Sequence, residues 1–323
     1  MPRRLEERLA AIHELAGDPH GPAAVAALRD ALRSKTGLLV AAAASVAAEA
    51  DIGDLVDELP AAFERLLERP VERDPGCRGK VAIARALHRL ERWEEGVFPR
   101  GARHVQREPV WGGSEDTAAE LRGVCGLAYA QLGRADALDV LADLLADPER
   151  MARVAAAQAL GDAGRPDAAA LLRYKALIGD DEPAVLAACF ASLLALSGEV
   201  ALSFVARFLD GKRSERSEVA ALAMGESRLA AAYPLLRRFC GDSLPSLRAE
   251  VGYLALALLR LDAATDHLVE VVGAAEPADA IAAARALATF RDDAALAARV
   301  RAAADAHPSP DVAAAARAAF APR

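Results

Sequence analysis

The sequence predicts an all-α protein in which short helical hairpins stack into an α-solenoid, and three observations carry this prediction. The chain is 54% hydrophobic but only 4% aromatic, because alanine is in large excess. One pattern of small and apolar residues recurs along the chain. Most copies of this pattern follow a proline-containing break, and strand-like runs of alternating residues are missing.

The composition limits both the fold and the function. Alanine loses no side-chain entropy in a helix, so a chain rich in Ala, Leu, Arg and Glu favours helix nearly everywhere. A chain of 323 residues exceeds one usual domain, but a repeat array grows by stacking, and we therefore expect one continuous body. The net charge of −8 argues against a surface built for nucleic acid or an anionic membrane.

The clearest copy of the pattern spans residues 152–161, where an arginine and a block of alanines precede Leu160 and Gly161. We take Leu160 as the anchor of its copy. Further anchors follow at a nearly constant interval, with two degenerate copies nearer the N-terminus: Tyr129, Leu193, Met224, Ala255, Leu287 and Phe320, then Leu87 and Val46.

Each copy of the pattern predicts the first helix of a hairpin, helix A, which often starts at a proline such as Pro183 or Pro277. After a short turn, leucines at helical spacing predict the second helix, helix B. Neither helix covers its apolar stripe alone, so the hairpins must stack. We expect about eight or nine hairpins in a right-handed superhelix, with helix B lining the concave side.

The repeated motif resembles the short HEAT-like repeats of the phycobilisome lyase family and of many bacterial scaffolds. The alanine block and the recurrent arginine of helix A, at Arg122, Arg153 and Arg248, carry the resemblance over residues 75–323. One segment, residues 128–134, also resembles a tetratricopeptide repeat, which is an α-solenoid as well. Residues 71–323 are thus interpreted as a HEAT-like array, and residues 1–70 as divergent helical repeats or a cap, with helices over 4–16, 23–34, 38–50 and 53–68.

An insertion interrupts the array at residues 93–116, because the anchors Leu87 and Tyr129 are further apart than the repeat period. Inserted loops on rigid scaffolds often hold specific contacts, so we expect partner binding here. Trp111 before two glycines suggests an aromatic residue on a tight turn. The alternative is a structural plug, with Trp111 packed on helix A and Arg107 bonded to Glu115 or Asp116. The candidate binding residues of the insertion are Arg100, Arg103, His104, Arg107 and Trp111.

A second candidate surface is a row of arginines on the exposed side of helix B. Three of them lie at the same offset beyond their repeat anchors, and a fourth lies one position short of that offset. With a helical rotation of about 100° per residue, this position points away from the core positions, so a row would suit an acidic peptide or another extended anion. Scattered, solvated arginines are the alternative. The row comprises Arg207, Arg238 and Arg301, together with Arg173.

The cysteines and the N-terminus predict the cellular setting. Cys77, Cys125, Cys189 and Cys240 are far apart and show no zinc-ligand spacing, so we expect reduced and mostly buried thiols. The N-terminus is too charged to begin a signal peptide. The longest uncharged run, residues 183–198, is shorter than the roughly 20 residues of a membrane span. These features predict a cytoplasmic protein without a membrane-spanning helix.

No convergent catalytic set is apparent in the sequence. It lacks a Gly-rich phosphate loop, a Gly-x-Ser-x-Gly elbow and a His-Glu-x-x-His motif. His13-Glu14 is the single His-Glu pair, whereas HEAT-like iron hydroxylases use several such pairs. HEAT-like DNA glycosylases would require a basic concave face with aromatic side chains. No catalytic residue, metal site or cofactor is therefore predicted.

The leading functional hypothesis is a non-enzymatic scaffold or adaptor that binds a protein or peptide, one with an acidic segment being favoured by the arginines. Nucleic acid and membrane are not expected partners. The alternative is a lyase-like or other enzyme, or an accessory factor, that acts on a ligand held in the concave groove. A deep pocket with several convergent polar groups would separate the alternative from the scaffold.

Overall fold

The computed structural model describes residues 2–210 and 214–321, and this part of the chain is almost entirely helical. Its strands form one two-stranded sheet, β1 (Arg107–Val110) and β2 (Gly113–Asp116). The chain divides into two compact units, Met1–Ala163 and Gly164–Arg323. The predicted repeat array also includes residues 211–213 and 322–323, which lie outside the described residues.

In the first unit, long helices are joined by short turns. Four of them, α3, α7, α9 and α11, contact one another in that order, while α2 packs on α3, α5 on α7, and α10 on α9 and α11. The helices are α1 (Pro2–Glu14), α2 (Pro22–Leu32), α3 (Gly37–Glu49), α4 (Gly53–Val56), α5 (Leu59–Leu67), α6 (Pro70–Arg73), α7 (Arg78–Arg89), α8 (Phe98–Gly101), α9 (Ala119–Gln131), α10 (Ala137–Leu145) and α11 (Arg150–Asp162).

The second unit follows the same scheme. Its helices α13, α15, α18, α20 and α22 contact one another in sequence, and α16 and α19 pack beside them. The elements are α12 (Ala168–Ile178), α13 (Pro183–Ser197), α14 (Glu199–Val205), a 3-10 turn (Ala206–Phe208), α15 (Glu215–Glu226), α16 (Ala232–Asp242), α17 (Pro245–Leu247), a π-helical turn (Arg248–Gly252), α18 (Tyr253–Leu258), α19 (Asp262–Ala274), α20 (Pro277–Leu287), α21 (Ala294–Ala306) and α22 (Pro310–Ala319).

The anchors identified in the sequence lie in the core. Every one of them is buried, and nearly all lie in or directly after a helix that matches a predicted helix A: Val46, Leu87, Tyr129, Leu160, Leu193, Met224, Ala255, Leu287 and Phe320. Burial at one position of each copy shows that the apolar period read from the sequence marks the inward face of these helices.

The predicted starts of helix A are confirmed at four of the five prolines that mark them, whereas α11 begins at Arg150, two residues after Pro148. Helices begin at Pro183, Pro245, Pro277 and Pro310. Proline suits this position because the first helical residues have no intrahelical acceptor for their N–H groups, and its fixed φ is already helical.

The four helices predicted for the N-terminal segment are present, but the fourth is broken. Residues 53–68 form α4 and α5, separated at Asp57 and Glu58. Pro60 lies in the first turn of α5, where its ring and missing N–H prevent one continuous helix. The carboxylate of Glu58 accepts hydrogen bonds from Arg29 and Arg33 of the second helical segment, which hold the break against α2. The apolar spacing continues across the break and therefore did not reveal it.

Small residues allow the stacked helices to approach closely. A Cβ placed on Gly225 of α15 would lie 2.9 Å from the Cα of Ala255 in α18. Atoms that close must move apart, so glycine is needed here for the packing distance. Close approach of the helices therefore requires small side chains at the contact, which agrees with the alanine-rich composition.

Among residues 2–210 and 214–321, no helix combines the length and the apolar character that crossing a membrane requires.

The buried anchors lead to a stability prediction. Leu160 is fully buried in α11, so Leu160→Asp would place an unpaired carboxylate in the core and lower the free energy of unfolding by several kcal/mol. Gln158→Asp on the exposed face of the same helix is the control and should change it by about 0.5 kcal/mol or less. Urea unfolding followed by circular dichroism measures both. Equal stability of the two variants would contradict the helix register.

Candidate partner-binding site

The insertion between α7 and α9 is not the simple loop that the sequence predicts. It contains the short helix α8 and the antiparallel hairpin of β1 and β2, which pair with Arg107 opposite Asp116 and Val110 opposite Gly113. The segment lacks alternating apolar residues, so strand patterning gave no sign of the hairpin. The Trp-Gly-Gly turn was the available signal, because two-residue loops with glycine connect antiparallel strands.

The first part of the insertion packs into the protein as a plug. The ring of Trp93 stacks on Phe98 with 5.1 Å between centroids and meets the buried Tyr129 of α9 edge-on at 4.8 Å. The guanidinium of Arg134 lies 4.3 Å from the centre of the Trp93 ring. Val97 and Phe98 are fully buried. Residues 93–98 thus pack into the protein through Trp93, Val97 and Phe98, none of which the plug alternative had named.

The tip of the hairpin, in contrast, is exposed. Trp111 and Gly112 form the two-residue turn, and Gly112 has a φ of +88°, which glycine adopts without strain. The relative exposure of Trp111 is 104%, so the indole makes no sheltering contact with the described residues, and Val110 beside it is also exposed. The plug alternative placed Trp111 against helix A, but Trp111 is not packed there.

Arg122 of α9 fixes the base of the hairpin. Its Nη1 donates to Asp116 Oδ2 at the end of β2 and to the backbone oxygen of His104, both at 2.8 Å. Its Nε and Nη2 donate to the two carboxylate oxygens of Asp147, at 2.7 and 2.8 Å, at the turn that precedes α11. Arg122 is buried. Its hydrogen bonds to both acids join the insertion to the next helical hairpin.

Gln106 makes the second attachment. Its backbone N–H donates to Asp116 Oδ1 at 2.9 Å, and its Nε2 donates to the backbone oxygen of Asp74 at 2.8 Å and to Glu108 Oε1 at 2.7 Å. Gln106 is buried, so these bonds replace water for a side chain that otherwise costs free energy to bury.

Asp74 connects the network to α7. Its carboxylate accepts the backbone N–H groups of Gly79 and Lys80 at the start of α7, and a hydrogen bond from Lys80 Nζ at 2.8 Å. Both partners of this ion pair are almost fully buried. Lys80 occupies the arginine position of its repeat copy, so the cation of helix A is used structurally here as well.

Electrostatics favour the charged form of the network acids. Burial alone would raise the pKa of Asp116, but the N–H groups of Gln106 and Ala118 and the Arg122 guanidinium hold that pKa below its ordinary value. Burial would likewise raise the pKa of Glu108, and three hydrogen bonds lower it below the usual range. The hydrogen bonds of Asp116 and Glu108 thus favour their ionised forms.

The basic residues predicted in the insertion have different roles. Arg100 is paired with Glu64 of α5, whereas Arg103 is exposed and makes one long bond, 3.4 Å, to a backbone oxygen. Burial lowers the pKa of the half-buried His104, so this ring adds no charge at neutral pH. Arg107 is exposed and forms no side-chain bond within the described residues, because Asp116 opposite it binds Arg122 instead.

The four arginines of the predicted row are all exposed, and their contacts differ. Arg173 and Arg207 both lie against the ring of Phe204, at 4.1 and 5.6 Å from its centre. Arg238 is paired with Asp242 one turn further along α16. Arg301 donates to the backbone oxygen of Phe320 at 3.4 Å. Of the four arginines, Arg173 and Arg207 contact the same aromatic ring.

The recurrent arginines of helix A make structural contacts. Arg153 donates to the backbone oxygens of Asp147 and Pro148, and Arg248 forms a two-bond ion pair with Asp279. Together with Arg122 they tie helix A to the turns beside it.

The four cysteines are free and buried, as predicted. Burial raises the pKa of Cys77, Cys189 and Cys240 to about 12, which disfavours the reactive thiolate. Over the described residues, no three or more His, Cys, Asp and Glu side chains are grouped so that they could hold a metal ion.

Removal of the central guanidinium should be costly. Arg122→Met leaves the carboxylates of Asp116 and Asp147 without their shared partner, so we expect a loss of about 3–5 kcal/mol in the free energy of unfolding. The control is Arg85→Met, which breaks an exposed pair with Glu120 and should cost about 1 kcal/mol or less. Urea titrations measure both, and similar values would contradict a structural role for the network.

The lowered pKa of Asp116 predicts acid sensitivity. In the unfolded chain this carboxyl binds its proton near its ordinary pKa of 3.8, whereas the folded protein holds it ionised to lower pH. The stabilisation is complete above the unfolded pKa and is lost as pH falls through the folded one. The free energy of unfolding should therefore decrease between about pH 5 and pH 2, less steeply in Asp116→Asn than in wild type. The exposed Glu115→Gln is the matched control, and an Asp116→Asn slope equal to wild type would refute the assignment.

No protein-family model matches the chain, and no curated protein matches it significantly. The resemblance to HEAT-like repeats stays an interpretation of the sequence pattern, and the function has to be inferred from the geometry of the hairpin and the exposed arginines.

Proposed function

We propose that the chain is an α-solenoid of HEAT-like hairpins that acts as a non-enzymatic binding scaffold, and that its β1–β2 hairpin inserts Trp111 into an apolar pocket of a partner protein. The solenoid is supported by the order of helix contacts within each unit and by the buried anchors at nearly regular intervals. The observation that carries the binding role is the full exposure of Trp111 at the tip of an anchored hairpin.

Exposure of an indole is unfavourable unless something covers it. A tryptophan buries roughly 200 Å² in a complex, and each Å² of apolar surface removed from water contributes about 25 cal/mol. Tryptophan and arginine are the residue types that most often dominate binding energy at interfaces. Trp111 has Val110 beside it, and the exposed Arg107 lies at the other end of β1, so the hairpin offers both residue types.

The attachment of the hairpin preorganises the strands that carry Trp111. A two-stranded hairpin by itself is marginally stable in water. Here Asp116 and Gln106 hold both strands to Arg122 of α9 and to the backbone of Asp74, which precedes α7, so the hairpin that carries Trp111 is ordered before a partner binds. Preorganisation of this kind raises affinity by lowering the entropy lost on binding.

The neighbouring surface gives a partner further contact. An open groove of about 410 Å³ lies between Leu67 and residues 99–105 of the insertion. Its lining residues are Leu67, Pro99, Arg100, Arg103, His104 and Val105. A protein or peptide is the partner class that fits such a surface, because a compact metabolite would not reach both the groove and the tip.

The alternative of an enzyme or a lyase-like factor is less well supported. The acids with shifted pKa values, Asp116 and Glu108, lie in the network that attaches the hairpin. Their hydrogen bonds are satisfied within the protein, which is typical of structural networks rather than of groups poised for catalysis. The predicted cytoplasmic location is part of the scaffold proposal.

Affinity capture from the source cell tests the role of Trp111. We expect a protein that is retained by wild type to be lost with Trp111→Ala, by about 2 kcal/mol of binding free energy or more. Val200→Ala is the matched control, because Val200 is an apolar residue that is 80% exposed in the second unit. Mass spectrometry of the retained proteins compares the three baits.

Two further measurements keep the result interpretable. Thermal midpoints of the variants should equal that of wild type, since the indole of Trp111 packs on no described residue. A photoreactive side chain placed at residue 111 should cross-link the same protein directly. Identical retained proteins for wild type and Trp111→Ala, with no cross-link from residue 111, would refute the proposal.

A further inference from the structure

A separate feature lies in the second unit, where two arginines share one aromatic ring. Arg173 is on α12, and Arg207 is in the 3-10 turn that follows α14. Their guanidinium carbons lie 4.1 and 5.6 Å from the centre of the Phe204 ring. Because both lie against one ring, the two charges can be no further apart than these two distances combined.

The ring that holds them is fixed. Phe204 is buried, and its ring meets Phe208 edge-on at 5.5 Å. Phe208 in turn packs on the buried Phe190 of α13 at 4.8 Å. An arginine over an aromatic face gains cation–π attraction and loses part of its freedom to move. The two guanidinium groups are therefore positioned by the core of the unit.

Their charges are not neutralised within the described chain. Neither Arg173 nor Arg207 forms an ion pair with a described carboxylate, whereas Arg248 and Arg299 in the same unit are paired with Asp279 and Asp266. The two positive charges repel each other, and a bound acidic group that pairs with them offsets this repulsion. The pair is thus complementary to a negatively charged ligand.

The surface beside Arg173 is apolar. Tyr174, Leu177 and Ile178 on α12 are 64%, 51% and 56% exposed. Leu177 is one helical turn from Arg173, and Ile178 is one turn from Tyr174, so these side chains are neighbours on the helix surface. A free phosphate or another small anion would leave this apolar surface uncovered.

We propose that α12 and the 206–208 turn bind an acidic protein segment in which carboxylate side chains pair with Arg173 and Arg207 while adjacent aliphatic side chains cover Tyr174, Leu177 and Ile178. Planar guanidinium groups bind carboxylates through paired, charge-assisted hydrogen bonds. This site is distinct from the Trp111 hairpin and does not depend on the proposal made for it.

Fluorescence anisotropy with the full-length protein at low salt tests the site. The probe is a short fluorescein-labelled peptide of glutamate and leucine residues, and the matched control peptide has glutamine in place of every glutamate. We expect saturable binding of the glutamate peptide that weakens as salt is added, and binding of the glutamine peptide that is about tenfold weaker or undetectable. Excess inorganic phosphate should not displace the probe at matched ionic strength.

Variants assign the binding to the arginine pair. Arg173→Glu with Arg207→Glu should weaken binding of the glutamate peptide about tenfold or more, and Arg173→Gln with Arg207→Gln should weaken it in the same direction. Arg237→Glu with Arg285→Glu changes the net charge of the unit equally at exposed positions elsewhere and should leave the affinity within about twofold of wild type. Circular dichroism confirms that the variants are folded.

The contrary outcomes are equally definite. The site is refuted if wild type shows no saturable binding, if the two charge-reversal variants behave alike, or if the glutamine peptide binds as well as the glutamate peptide. Displacement by phosphate would replace the acidic segment with a small-anion site. Trp111→Ala should bind the probe as wild type does, so failure of the hairpin proposal and failure of this one are distinguishable.

Discussion

The Arg122 guanidinium, buried between the carboxylates of Asp116 and Asp147, is the interaction on which the arrangement of the first unit depends. Burial of a charge is unfavourable by several kcal/mol, and it is tolerated here because the donors of Arg122 meet two carboxylates and a backbone oxygen. One acid precedes α9 in the sequence and the other follows it: Asp116 ends the inserted hairpin, and Asp147 precedes α11. The same bonds that attach the insertion therefore also connect one helical hairpin to the next.

This attachment explains why the insertion combines a buried base with an exposed tip. Trp93 and Phe98 fill space against α9, while Gln106 and Asp116 supply the polar contacts that a strand needs when it leaves the core. Beyond these residues, no part of the described chain covers Trp111. The segment thus has a packed base and an exposed tip, and partner binding is proposed for the tip.

Arginines are used in three different ways in this chain. In helix A they are bonded to carboxylates and backbone oxygens, as with Arg122 and Arg248, and there they stabilise the contacts between neighbouring turns. Arg134 lies on the ring of Trp93 and covers the plug. Arg173 and Arg207 lie on a fixed ring without a described counter-charge, which is the arrangement expected when the missing partner belongs to another molecule.

The sequence by itself determined the helical class, the inward face of the repeated helices at positions such as Leu160 and Met224, and the place of the insertion. These features follow from local rules, because helix hydrogen bonds and apolar spacing act over a few residues. Tertiary structure alone decided that Trp93 is covered and Trp111 exposed, and that Arg173 and Arg207 meet at Phe204. Such outcomes depend on contacts between residues far apart in sequence, and equal residue types at equal spacing do not reveal which of them will find a partner.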